Sequence, residues 1–105
     1  MKVTCKIENG NKVWRNENDK IHRKKGPAIE YANGDKYWLQ NGLFHRVGGP
    51  AVEFANGRKE WWFEGEEIDC NSQEDFESIV EAQKNMQYIL QQIYGDKFSL
   101  QLQFN

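Results

Sequence analysis

A ten-residue phrase recurs along the chain. Ile29 to Trp38 reads IEYANGDKYW, Val52 to Trp61 reads VEFANGRKEW, and Cys5 to Trp14 reads CKIENGNKVW. In each copy two β-prone runs flank Asn-Gly (Asn9-Gly10, Asn33-Gly34, Asn56-Gly57), the pair best suited to the positive φ angles of a two-residue type I′ turn. A chain written this way is constrained to successive β-hairpins. The two-residue turn sets Ile29 opposite Trp38, Glu30 opposite Tyr37 and Tyr31 opposite Lys36, and the same rule pairs Val52 with Trp61 and Cys5 with Trp14. Cross-strand partners share a face. This register therefore predicts a core of Cys5, Ile7, Trp14, Ile29, Tyr31, Trp38, Val52, Phe54, Trp61 and Phe63.

A second turn in each unit leads into a third strand. Asn41-Gly42 sets Leu39 opposite Phe44 and Trp38 opposite His45, and Glu64-Gly65 sets Ile68 opposite Trp61. In the first unit the spacing from Trp14 to Trp38 is 24 while that from His22 to His45 is 23; a three-residue loop, Glu17-Asn18-Asp19, absorbs the difference and places His22 opposite Trp14. Gly26-Pro27 and Gly49-Pro50 end the third strands and turn the chain into the next hairpin. The face opposite the tryptophans carries Lys6, Glu8, Val13, Arg15, Glu30, Tyr37, Leu39, Glu53, Glu60 and Trp62, and reads as mostly solvated. On it Tyr37 and Trp62, with Tyr88 further along the chain, are candidate exposed aromatics. Lys12, Lys36 and Lys59 are expected to lay their stems over the tryptophan rings.

After Asp69 the pattern changes. Asn71, three residues before Glu74, suggests a helix cap, and Phe76, Ile79, Val80, Gln83, Met86, Leu90, Ile93 and Tyr94 then fall on one helical stripe until Gly95. The spacing predicts a helix over 71–94. Ala82 and Ile89 widen the stripe beyond what one small sheet needs, so a homodimer through this helix is an expectation. Residues 97–104 alternate apolar and polar and predict a terminal strand, a second candidate for pairing between chains. The whole is an α+β chain, mainly β with one C-terminal helix: an antiparallel meander of three hairpin units over 3–69, then the helix, then the strand. At 105 residues, 38% of them hydrophobic and 29% charged, it has the size and composition of a single domain, 1–105.

Charge is divided along the chain. Residues 1–50 hold ten Lys and Arg against five Asp and Glu, while residues 51–105 hold four against eleven. Between Glu60 and Gln83 there are nine acids and no Lys or Arg. Of these Glu60, Glu64, Glu66, Glu67, Asp69, Glu74, Asp75 and Glu77 form a candidate partner-binding surface that would steer a basic partner. In the basic half Arg15, Arg23, Lys24 and Lys25 are candidates for nucleic-acid contact. No run approaches the roughly 18 apolar residues needed to span a bilayer, and MKVTCKIENG has no apolar signal core. The chain therefore reads as cytoplasmic, without a membrane partner, and its two cysteines, Cys5 and Cys70, as reduced small hydrophobes in or near the core.

Catalytic signatures are sparse. Ser72, Ser78, Ser99, Thr4, His22 and His45 sit in no nucleophile motif, and no Gly-rich phosphate loop, HExxH or paired CxxC occurs. Ile68 in the slot of His22 and His45 argues that this slot is structural. Neither a cofactor nor a metal is expected, since the spacing of Cys5, His22, His45 and Cys70 gives no support to a zinc site. The chain reads as a non-enzyme.

Units of the form GPA-(Ile/Val)-Glu-(Tyr/Phe)-Ala-Asn-Gly-x-Lys-x-Trp, followed by Asn-Gly and His-Arg, resemble the MORN-type hairpin repeats of phage, giant-virus and bacterial proteins. The matching segments are Gly26 to Arg46 and Gly49 to Gly65, with a degraded copy at Thr4 to Arg23. The resemblance implies a scaffold or protein-binding platform. Joined to the charge pattern, it leads to the expectation of a small phage-type inhibitor in the host cytoplasm that binds a host defence enzyme, for example a nuclease, by occupying its basic groove. Two alternatives are a nucleic-acid-binding protein using the basic N-terminal half and a dimeric structural or scaffold protein.

Overall fold

The computed structural model describes residues 2–95 and contains two compact units, Met1–Asp69 and Cys70–Asn105. Antiparallel strands fill the first, and one long helix fills the described part of the second, an α+β arrangement. In chain order the strands are β1 (Thr4–Glu8), β2 (Asn11–Arg15), β3 (Ile29–Glu30), β4 (Lys36–Tyr37), β5 (Leu39–Gln40), β6 (Leu43–Phe44), β7 (Val52–Glu53), β8 (Lys59–Phe63) and β9 (Glu66–Ile68). Seven of them form one sheet in the order β1-β2-β3-β4-β7-β8-β9, and β5 pairs with β6 alone. The three repeated phrases are hairpins, as expected; their registers are not all those the Asn-Gly rule predicts.

Asn-Gly makes two different turns here. At Asn9-Gly10, both φ angles are positive, 53° and 82°, and Cys5 pairs with Trp14 as expected. Asn41-Gly42 and Glu64-Gly65 behave likewise, setting Leu39 opposite Phe44 and Trp61 opposite Ile68. At Asn33-Gly34 and Asn56-Gly57 only the glycine enters the left-handed region, with φ of 101° and 95°. Tyr31 N–H donates to the Asp35 carbonyl at 3.0 Å and Gly34 N–H to the Tyr31 carbonyl at 3.0 Å. That is a three-residue loop, a turn closed by a glycine bulge. Phe54, Gly57 and Arg58 repeat the pattern at 2.9 Å each. The register is accordingly one residue off the prediction: Ile29 pairs with Tyr37, not Trp38, and Val52 with Glu60, not Trp61. The loop Glu17-Asn18-Asp19 is of this same kind, with Asp19 at φ 62°, and brings His22 opposite Trp14 as expected.

A one-residue slip moves every side chain to the other face, and the predicted core is corrected by it. Ile29, Tyr31, Val52 and Phe54 leave the tryptophan face and join Val13, Tyr37 and Leu39. Across the sheet this face reads Lys6, Val13, Ile29, Tyr37, Val52, Glu60 in register. Val13, Ile29, Leu39 and Val52 are buried on it, each contributing roughly 1.5–3 kcal/mol. Tyr37 meets Tyr31, Phe44 and Phe54 edge-on with centroids 4.8, 5.5 and 6.3 Å away, and Phe44 lies 4.9 Å from Trp62. The other face reads Ile7, Lys12, Glu30, Lys36, Glu53, Lys59. The longer loop thus sorts apolar groups to one side and sets opposite charges against each other on the second, where the two-residue turn would have mixed them. Lys12, Lys36 and Lys59 face glutamates across the strands. Cys5 and Ile7 keep their predicted register but are exposed, Ile7 by 65%, because the core formed on the Val13 side.

In the second unit, α1 (Gln73–Tyr94) is capped by Ser72, whose side chain accepts from Asp75 N–H at 3.1 Å. The cap is one residue beyond the predicted Asn71, whose N–H reaches the Asp75 carboxylate at 3.4 Å. Gly95, at φ 69°, closes the helix with its N–H on the Gln91 carbonyl at 2.7 Å. Phe76 and Val80 are its buried residues. The terminal strand expected over 97–104 lies outside the described residues.

Candidate functional site

The repeated polar residues converge on a clasp that appears twice. Arg23 lies over the Trp14 ring at 4.0 Å, donates to the Pro27 carbonyl at 3.2 Å and meets Glu30 at 3.3 Å. Twenty-three residues on, Arg46 lies over Trp38 at 3.8 Å and donates to Pro50 and Glu53, both at 3.0 Å. A Cβ on Gly26 or Gly49 would stand 2.9 or 2.7 Å from the guanidinium carbon, so the glycine before each proline leaves room for the arginine. The planar guanidinium is held between an indole face and bare backbone, with its donors directed at a carbonyl and a carboxylate.

Histidine joins one unit to the next. The Nδ1 of His22 accepts from Asn41 N–H at 2.9 Å, and that of His45 accepts from Glu64 N–H at 2.9 Å. Around each, the backbone repeats the link: Arg23 N–H to Leu39 O at 3.1 Å and Gly42 N–H to Ile21 O at 2.8 Å, then Arg46 N–H to Trp62 O at 3.4 Å and Gly65 N–H to Phe44 O at 2.8 Å. His22 is 2% exposed; burial first, and then the nearby Lys24 charge, holds its pKa below the usual histidine value. An imidazole whose Nδ1 must accept a hydrogen bond is neutral, with its proton on Nε2. Asn11 and Asp35 tie neighbouring turns in the same manner, accepting from Ala32 N–H at 2.9 Å and Ala55 N–H at 2.7 Å. The motif His-Arg-x-x-Gly-Pro-Ala-x-Glu is therefore architectural in this chain.

Of the residues proposed for nucleic-acid contact, Arg15 is paired with Glu8, which lowers the Glu8 pKa and raises that of Arg15 through their hydrogen bond, and Arg23 is held in its clasp. Lys24 and Lys25 are exposed. They border two clefts, one of about 450 Å³ with Val3, Trp14, His22 and Arg23, the other of about 540 Å³ with Trp38, Gln40, His45 and Arg46 among its walls. Among the described residues, no carboxylate lines either cleft. The second cleft was missed from sequence, although the 23-residue spacing of Arg46 from Arg23 pointed to it.

The acids are arranged less simply than one surface. Glu60 accepts from the Trp62 indole N–H at 3.1 Å and lies 3.7 Å from Arg58. Glu67 stands opposite Trp62 on one face of the β8-β9 ladder, while Glu66 stands opposite Phe63 on the other. Glu64 sits in the turn at φ 50°. Glu64, Glu67 and Asp69 are exposed in the first unit, and Glu74, Asp75 and Glu77 in the second. Of the candidate aromatics, Tyr88 is exposed by 66%, whereas Tyr37 and Trp62 are half-buried among core aromatics; burial raises the Tyr37 pKa. Among the described residues, no three His, Cys, Asp or Glu side chains gather where they would hold a metal ion, and no helix is long and apolar enough to cross a membrane.

The fold and these clasps define a repeat array with a following helix. Comparison with protein-family models, with curated proteins and with solved structures finds no match.

Proposed function

We propose that this chain is a non-enzymatic protein-binding module in which a MORN-type hairpin array is the scaffold and exposed acids meet a basic partner. The reading rests on one contrast. The repeated His, Arg and Glu side chains are engaged inside the array, whereas Glu64, Glu67, Asp69, Glu74, Asp75 and Glu77 are exposed in an interval without Lys or Arg. Exposed carboxylates with no Lys or Arg near them in sequence are available for recognition, although Asp75 and Glu77 also accept local bonds from Asn71 N–H and Gln73 Nε2. The partner class that fits is a host enzyme with a basic groove, such as a defence nuclease, inhibited in the host cytoplasm by a phage-encoded protein.

The test is capture of partners from host lysate at low and high salt, followed by titration of the purified partner. The expected result is a salt-sensitive complex that Glu64→Lys, Glu67→Lys and Asp69→Lys together weaken by about tenfold or more, with an unchanged melting temperature. Equal affinity of the triple variant would refute the acidic-surface reading. A second reading, nucleic-acid binding, is favoured by the clefts beside Lys24 and Lys25, which no carboxylate lines among the described residues; a labelled oligonucleotide that fails to bind at low salt excludes it.

A further inference from the structure

On α1 the side chains Ala82, Met86, Ile89 and Ile93 are spaced four, three and four residues apart, which aligns them in one stripe. Ala82 is exposed, as are Met86 by 53%, Ile89 by 52% and Ile93 by 65%. The adjoining stripe differs: Phe76 and Val80 are buried, and Ile79, Gln83 and Leu90 are half-buried. Large apolar side chains left open in a row mark a protein interface.

Beyond the acidic-surface reading, and independently of it, the geometry points to a second copy of this chain as the occupant, in an antiparallel two-fold pair of α1 helices. The four-three-four spacing reads the same in both directions. About a two-fold axis between Gln87 and Tyr88, Ala82 meets Ile93 of the second copy and Met86 meets its Ile89, so the smallest residue faces a β-branched one. That is the self-complementarity an isologous contact requires. The stripe is bordered by Ser78, Asn85 and Gln92, and the one charge between Ala82 and Tyr94 is Lys84, half a turn away from the stripe. The antiparallel sense also puts Glu74, Asp75, Glu77 and Glu81 of the two copies at opposite ends and opposes the helix dipoles, whereas a parallel pair brings the acids together. Four such side chains hide a few hundred Å² per copy, below the roughly 800 Å² per partner of a standard interface, so the pair forms at micromolar rather than nanomolar concentration.

Light scattering of the full chain across the micromolar range is the test. The mass rises from 12.4 kDa toward twice that value as concentration increases. Met86→Glu and Ile89→Lys, at exposed positions and read against unchanged circular dichroism, each weaken self-association by about tenfold or more. Mixing the two variants restores the dimer, because residue 86 of one copy faces residue 89 of the other. A monomer throughout the range, or a dimer indifferent to both variants, overturns the proposal; dispersal by both variants without rescue on mixing overturns the antiparallel pairing.

Discussion

Arg46 donates to Pro50 and Glu53 while lying over Trp38, and Gly49 leaves it the space to do so. Lysine has neither the planar fork nor the stacking face. Arg46→Lys is expected to cost about 1–2 kcal/mol, and Gly49→Ala a similar amount by displacing the same guanidinium. Because both changes break one contact, the double variant should cost little more than the larger single one in urea denaturation; additive losses would show the glycine acting elsewhere. His22 gives the residue scale a pH dependence. Its folded pKa is lowered, so the unfolded chain, with a histidine near 6.5, binds the proton first. The stability contributed by neutral His22 is fully present above about pH 6.5 and is lost as pH falls through the folded pKa. Denaturation midpoints should therefore drop on acidification below neutrality in the parent, and less so in His22→Asn, whose side-chain oxygen keeps an acceptor for Asn41 N–H without titrating.

Hairpins are the scale at which sequence reading divided. Asn-Gly fixed the place of all three turns, but the same dipeptide supports a type I′ turn or a glycine bulge. Local preference does not choose between them. The choice follows from pairing with neighbouring hairpins: the bulged register lines Ile29 and Val52 up with Val13 and Tyr37, and Glu30 and Glu53 with Lys12, Lys36 and Lys59. The turns then differ in their tolerance. Gly34 and Gly57 both hold positive φ, yet a Cβ at Gly34 would come 3.2 Å from Ala55 Cβ while one at Gly57 meets open space. Gly57→Ala should cost the backbone penalty of about 1–2 kcal/mol, and Gly34→Ala visibly more; equal melting temperatures would show that the turns do not pack on one another. In α1 the helix was legible over nearly its full length, because apolar spacing and Gly95 are local signals, and only the cap moved by one residue.

Over the whole chain, the array ends where its connectors end. Ile68 and Asp69 occupy the positions of His22-Arg23 and His45-Arg46, so the third unit offers neither the imidazole acceptor nor the clasp that the first two extend onward. Terminal units of repeat arrays are atypical in this way. Ile68 is 6% exposed, and Ile68→His puts a polar imidazole where an apolar side chain is buried. A loss of about 2 kcal/mol in chemical denaturation is expected, and a variant as stable as the parent would mean that the slot accepts histidine without a further unit.

The sequence by itself determined the number of hairpins, the position of every turn, the His22–Trp14 and Trp61–Ile68 pairings, the helix and the separation of charge, since each is encoded in local spacing. Tertiary structure alone decided which face became the core and what the repeated arginines do. Those outcomes depend on contacts between hairpins: a bulge of one residue exchanges the faces, and a guanidinium that reads as a ligand-binding charge in sequence is held by the Trp, Pro and Glu of its own array once the hairpins stand side by side.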